Sequence, residues 1–191
     1  MRADAREKRA ALLTAAWDLF AEDGPEVPLR TVAARADVGI ATLYRHFPTR
    51  EDLMVGLIED MAGRVLAIIE RHVADWDGGS EGWRNFVHEI AALKVAALAE
   101  RSIAVIPVDG RVWVETEPVR EEFLAAYRTI LDLAASSGFV EDDLSPWRFH
   151  LGLAAVSRPM PEKAERFAPG QADWLIDTFI DGLRGRRAAL G

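Results

Sequence analysis

Apolar residues recur at helical spacing along nearly the whole chain, and no stretch sustains the period of two that a half-buried strand requires. Val105 to Val114 comes closest, but Pro107, Asp109 and Gly110 break the alternation. The pattern predicts an all-α protein. A first helix runs from about Ala5 to Glu22, with Leu12, Leu13, Ala16, Leu19 and Phe20 on one stripe beside Trp17, and Gly24 ends it. Short helices follow at about Leu29–Ala36 and Ile40–Phe47, separated by the turn Asp37-Val38-Gly39 and stopped by Pro48. A long helix starts at Thr49, a good N-cap with Asp52 at the third helical position. Its apolar positions Leu57, Met61, Val65 and Ile69 lead toward Trp76, a span of about 40 Å at ~1.5 Å per residue. Beyond Asp77-Gly78-Gly79-Ser80, helices are expected at about 81–101, 116–136, 146–157 and 171–185. Thr116 caps the second of these, Gly138 closes it, and Ser145-Pro146 opens the third. Residues 102–115 read as irregular, with room for one helical turn.

Leu29–Phe47 has the layout of a helix-turn-helix. Ala33 is small where the second helix must cross, Asp37 stands where the turn needs a positive φ, Val38 plugs the gap, and Leu43 and Phe47 anchor the second helix. Two short amphipathic helices joined by a tight turn also occur in ordinary helical proteins. The outward face of the second helix narrows the reading. It carries Ala41, Thr42, Tyr44, Arg45 and His46, with Arg50 just beyond Pro48. Small side chains let a backbone sit deep in a major groove, an arginine pairs with guanine O6 and N7, and a threonine meets a thymine methyl or a phosphate.

Composition then excludes classes. The 191 residues are 50% apolar and 28% charged and contain no cysteine, so there is no disulfide framework, thiolate metal site or cysteine nucleophile. No apolar stretch approaches the ~18 residues of a membrane span, and Met1–Arg9 lacks the apolar core of a signal peptide, so a cytoplasmic protein is expected. Residues 1–50 hold 8 basic and 7 acidic groups; residues 51–191 hold 15 and 24, and the sums, +1 and −9, give the net −8. An acidic chain is a poor general binder of nucleic acid. It can bind only through a small, locally basic face, and the first fifty residues are where one exists. The basic residues Arg2, Arg6, Lys8 and Arg9 read as a disordered, solvated lead-in. None of the four histidines follows a carboxylate at three residues, no Gly-rich phosphate loop or nucleophile elbow is present, and neither an enzyme nor a metal or cofactor is expected.

The stretch from Val27 to Ile58, "VPLRTVAARADVGIATLYRHFPTREDLMVGLI", preceded by "AALLTAAWDLFAEDG", resembles the DNA-binding domain of the tetracycline-repressor (TetR) family of bacterial regulators. The resemblance covers about residues 6–65 and is most specific in Ala41–Phe47 followed by Thr49, Arg50, Glu51 and Leu53. It implies an N-terminal three-helix domain, residues 1–50, that binds double-stranded operator DNA, and a larger helical effector-binding and dimerisation domain, residues 51–191. It implies that Gly39, Ile40, Ala41 and Thr42 face bases and flanking phosphates, that Tyr44, His46 and Arg50 hold phosphate, and that Arg30 touches the backbone. For Ile40 the residue spacing favours partial burial instead. Three positions depart from the family: Pro28 for a capping threonine, Gly39 for a capping serine and Asp37 for glycine.

The last helix carries Trp174, Leu175, Ile176, Phe179, Ile180 and Leu183 over most of its circumference and must bury two faces. Helix 146–157, with Trp147, Leu151 and Ala155, is similar. A homodimer built on both helices is the economical solution, with Trp147, Leu151, Ala155, Trp174, Phe179 and Leu183 at its interface. An unidentified small-molecule effector is expected in the intervening helices, with Met61, Trp83, Phe86, Ile90, Trp113, Phe123 and Tyr127 as candidate lining and His88, Asn85 or Lys94 as polar members; for each of these, plain core packing is the stronger reading. The sequence as a whole reads as a ligand-responsive repressor that binds a palindromic operator. The alternatives are a helical-bundle small-molecule-binding protein or enzyme whose helix-turn-helix is only packing, and a protein–protein module that keeps the fold without DNA binding.

Overall fold

A computed structural model describes residues 2–93, 110–158 and 162–184, and every described element is helical or a turn. The helices are α1 (Arg2–Asp23), α2 (Leu29–Arg35), α3 (Ile40–His46), α4 (Arg50–Ala74), α5 (Ser80–Ala92), α6 (Arg111–Glu115), α7 (Glu117–Ser136), α8 (Pro146–Val156), α9 (Glu162–Phe167) and α10 (Gln171–Leu183). They divide into two compact units. The first holds the residues up to Gly63 and Gly110–Arg120; the second holds Arg64–Leu93 and the described residues from Glu121 onward. A boundary at residue 50 was expected from sequence; packing puts it within α4 and returns α6 to the first unit. Lys94, the expected continuation of α5 to 101, and the irregular segment as far as residue 109 lie outside the described residues.

The first unit is built on the predicted stripe. Leu12, Leu13, Ala16, Leu19 and Phe20 of α1 are buried against Val32 and Ala33 of α2, Leu43 of α3, and Leu53 and Leu57 of α4. Val112 of α6 completes this core. Helix α1 begins at Arg2, not Ala5, so the basic lead-in is helical. Lys8 pairs with Asp4 at 3.0 Å, and Arg9 pairs with Glu59 at 3.5 Å while its guanidinium lies 5.3 Å from the Phe47 ring centroid. The start of α4 is a reciprocal cap: Asp52 Oδ2 accepts from the Thr49 amide and hydroxyl at 2.8 Å each, and the Asp52 amide donates to Thr49 Oγ1 at 3.2 Å. These Thr49 bonds, and then Arg111, hold the Asp52 carboxyl below its ordinary pKa. At α7 the expected cap is replaced. Thr116 is buried, and its hydroxyl donates backward to the Val112 carbonyl at 2.7 Å and accepts from the Arg120 guanidinium at 2.7 Å, not from a main-chain amide of the new helix.

The second unit has an aromatic core. Trp83 and Phe86 of α5 pack with Phe149 of α8, at centroid distances of 5.7 and 6.2 Å, and Tyr127 of α7 lies 5.7 Å from Phe149. Helix α8 meets α10 at a glycine: a Cβ at Gly152 would lie 2.8 Å from the Phe179 ring, so only glycine allows this approach. Asp177 of α10 is turned to α5, where it accepts from Arg84 at 2.5 Å and lies 2.8 Å from His88 Nε2. Ser145 caps α8 as expected by accepting from the Arg148 amide, and Gly138 closes α7 at a φ of 77°. Helix α9 carries only six residues and was not anticipated.

His150 sits inside this core, 93% removed from solvent, with Nδ1 3.1 Å from the Tyr127 hydroxyl. Burial pushes His150 down to about 4 from an ordinary 6.5 and pushes the Tyr127 phenol up. The folded state therefore binds fewer protons than the unfolded chain between these values. The contribution of a neutral His150 is whole above pH 6.5 and is lost as pH falls toward about 4. Urea unfolding should show about 2 kcal/mol less stability from this group at pH 5 than at pH 7.5, and His150→Gln should flatten that difference.

Candidate nucleic-acid interface

Helix α3 has seven residues, too few to persist alone in water, so tertiary anchors must seat it. Leu43 is fully buried and Phe47, at its C-cap, nearly so. Phe47 fits because α4 passes it at Gly56, where a Cβ would lie 2.8 Å from the ring. The turn before α3 closes as the sequence requires. Asp37 has a φ of 53°, the one positive φ outside glycine among the described residues, and the Val38 amide donates to the Ala33 carbonyl at 2.9 Å. Neither Pro28 before α2 nor Gly39 before α3 supplies a side-chain cap.

With one side anchored by Leu43 and Phe47, the opposite side of α3 is open. Gly39, Ala41, Tyr44 and Arg45 are exposed, Tyr44 by 50%, and Thr42 and His46 are half-buried. Ile40 is 42% exposed and stands on the open face, although its spacing to Leu43 and Phe47 favoured partial burial. The core takes only Leu43 and Phe47 from this segment. Arg30, at the start of α2, is also exposed. Among the described residues Arg30 and Arg45 make no ion pair and no hydrogen bond. Other basic groups of this unit are used internally: Arg35 pairs with Glu22 at 3.6 Å, and Lys8 and Arg9 are paired as above. Arg45 and His46 border an open cleft with Asp4, Ala5 and Lys8 of α1.

Arg50 has internal partners that its expected role did not include. Its guanidinium donates to the Pro25 carbonyl and, at 2.9 Å, to the Val27 carbonyl. Two of the N–H groups assigned to phosphate thus tie the start of α4 to the loop between α1 and α2. Sequence spacing gives no sign of this, because the acceptors are main-chain carbonyls more than twenty residues away.

The candidate effector residues separate. Trp83, Phe86, Ile90, Phe123 and Tyr127 are all buried and belong to the second unit. Met61 and Trp113 belong to the first, where the Arg120 guanidinium lies 3.9 Å from the Trp113 ring centroid. His88 is turned to Asp177, Asn85 is exposed, and the residue the sequence missed in the aromatic group is His150. The Trp83 indole N–H is buried without an acceptor among the described residues. The six dimer candidates also divide. Leu151 and Trp174 are 50% and 60% exposed, and Ala155 is exposed on the same face of α8. Trp147 and Phe179 are half-buried by packing inside the unit, against Phe123 and Phe149 respectively, and Leu183 is half-buried. No group of metal-ligating side chains and no helix long and apolar enough to cross a membrane occurs among the described residues.

Residues 12–57 match the family of bacterial regulatory proteins of the tetR family. The HTH-type transcriptional repressor Rv3405c of Mycobacterium tuberculosis is 46% identical over 61 residues, which is 31% of this chain and 32% of that protein. The alignment thus spans about a third of the length of such curated relatives. Over nearly the full length, the chain is similar to the structure of a TetR transcriptional regulator from Streptomyces coelicolor, with a TM-score of 0.61 and 27% identity, covering 93% of this chain and 99% of that one. A TetR transcription regulatory protein from Mycobacterium vanbaalenii has the same score and identity, covering 96% and 99%.

Asp37 holds a backbone conformation that glycine adopts without a steric cost. Asp37→Gly should stabilise the helix-turn-helix by on the order of 0.5–1 kcal/mol, seen as a higher melting temperature. A melting temperature at or below that of the parent would contradict the assignment of strain to this turn.

Proposed function

We infer, from the match of residues 12–57 to the tetR family of bacterial regulatory proteins, that the chain is a DNA-binding transcriptional repressor whose α3 enters the major groove of an operator. The observation that carries this reading is the open face of α3, where Ala41, Tyr44 and Arg45 stand outward and the cations of Arg45 and nearby Arg30 have no partner among the described residues. Unneutralised arginines on a rigidly seated helix suit phosphate and guanine; a helix present only for packing has no need of them. Thr42 and Ile40 would meet base edges, and Tyr44, His46 and Arg30 would hold phosphate. The test is a binding titration with duplex DNA from upstream of the gene at two salt concentrations. Specific binding should weaken steeply with salt and outlast competitor DNA. Arg45→Ala should cost about 1–3 kcal/mol of operator affinity with little change in melting temperature. Binding to every duplex alike, or none, would favour the bundle or protein–protein reading.

The protein acts as a homodimer through α8 and α10. Leu151, Ala155 and Trp174 support this, because they leave apolar surface on neighbouring helices of the second unit uncovered. Two reading helices on a two-fold axis would engage half-sites about one helical turn apart, ~34–36 Å. In sedimentation the chain should run at twice its 21.1 kDa mass. Leu151→Glu with Trp174→Glu should yield monomers with much weaker operator binding; an unchanged mass would place the interface elsewhere. The effector response belongs to the aromatic group around Trp83, Tyr127 and His150. The buried indole N–H of Trp83, without an acceptor among the described residues, supports a ligand that carries one. Such a ligand lowers DNA affinity only by its differential affinity for the two states of the dimer.

A further inference from the structure

We propose that Arg111 is a positioning residue for DNA binding, which holds the corner between α3 and α4 so that the open face of α3 is presented at a fixed angle. The inference rests on the DNA-binding reading above and concerns a residue outside the helix-turn-helix. Helix α6 returns to the first unit by burying Val112 in its core, to 4% exposure. This sets Arg111 beside the first turn of α4. There Arg111 Nη2 donates to Asp52 Oδ1 at 2.6 Å and Nη1 to Thr49 Oγ1 at 3.4 Å. Its Nε donates to Glu115 Oε1 at 2.6 Å, which fixes the guanidinium plane from its own helix.

The two oxygens of Asp52 divide their work. Oδ2 accepts from the amide and hydroxyl of Thr49 and so caps α4, while Oδ1 accepts from Arg111. Thr49 follows Phe47, the anchor of α3, by two residues. On the other side of this corner, Arg50 is bonded to the Pro25 and Val27 carbonyls. The corner is thus gripped from the α1–α2 loop by Arg50 and from α6 by Arg111. Ion pairs at this degree of exposure add little to global stability. They can still matter to a helix that has to meet base edges within about 0.5 Å. A corner free to rock would keep its fold and lose registry.

The experiment measures binding of the full chain to the upstream operator duplex and to a scrambled duplex, by fluorescence anisotropy at several salt concentrations. The variants are Arg111→Met, Asp52→Asn, the two together, and Arg111→Lys. Each single variant should lose on the order of fivefold in operator affinity, the double variant no more than the weaker single, and Arg111→Lys less than Arg111→Met. The salt slope should stay at the parent value and scrambled-duplex affinity should not change, so the loss falls on specificity. A slope reduced by about one for Arg111→Met would make Arg111 a phosphate contact and overturn the proposal. So would single variants that bind within twofold of the parent, or additive losses in the double variant. If Arg111→Met melts several degrees lower, Arg111→Lys and Asp52→Asn carry the same comparison. A parent chain that binds no duplex removes the DNA-binding reading and this inference with it. A parent that binds specifically beside variants that bind equally well removes this inference alone.

Discussion

Everything on the reading side of the molecule depends on how a seven-residue helix is held still. Helix α3 cannot pay the cost of nucleation by its own hydrogen bonds, so its persistence comes from Leu43 and Phe47 pressed into the core of α1, α2 and α4. Phe47 is gripped closely: α4 passes its ring at Gly56, and the Arg9 guanidinium lies over it. Because those two anchors occupy one side, the other side is left with small residues, a tyrosine and an arginine. The open face is the geometric complement of the packing.

Charge follows the same division. In a chain with net charge −8, a nucleic-acid-binding face has to be local, and the first unit engages most of its other cations internally. Lys8, Arg9, Arg35, Arg50 and Arg111 are engaged with carboxylates or main-chain carbonyls, which leaves Arg30 and Arg45, with Arg6 on α1, without an internal partner among the described residues. The engaged arginines hold the scaffold on which the unengaged ones are displayed.

The second unit solves a different problem. Its aromatic rings from α5, α7 and α8 fill the interior, and His150 is accepted there only in its neutral form, paired with Tyr127. Helix α10 carries apolar residues over most of its circumference, and its carboxylate Asp177 is drawn to Arg84 and His88 on α5. Ile176 and Ile180 turn inward, and Trp174 stands outward.

Local information alone determined much of this. The helical period, the caps at Thr49 and Ser145, the positive φ at Asp37 and the helix-turn-helix anchors are all short-range, set by neighbours within four or five residues, and were legible in the chain. So was the outward set Ala41, Tyr44 and Arg45, because periodicity on a short helix assigns its faces. The rest needed contacts between distant segments. The capture of Arg50 by Pro25 and Val27, the return of α6 through Val112, the backward hydrogen bond of Thr116 and the pairing of His150 with Tyr127 each join groups whose meeting no spacing rule announces. Side-chain type fixes what a group can bond; only the folded chain decides which partner arrives first, and here that decision separated the arginines that hold the scaffold from those left open to solvent.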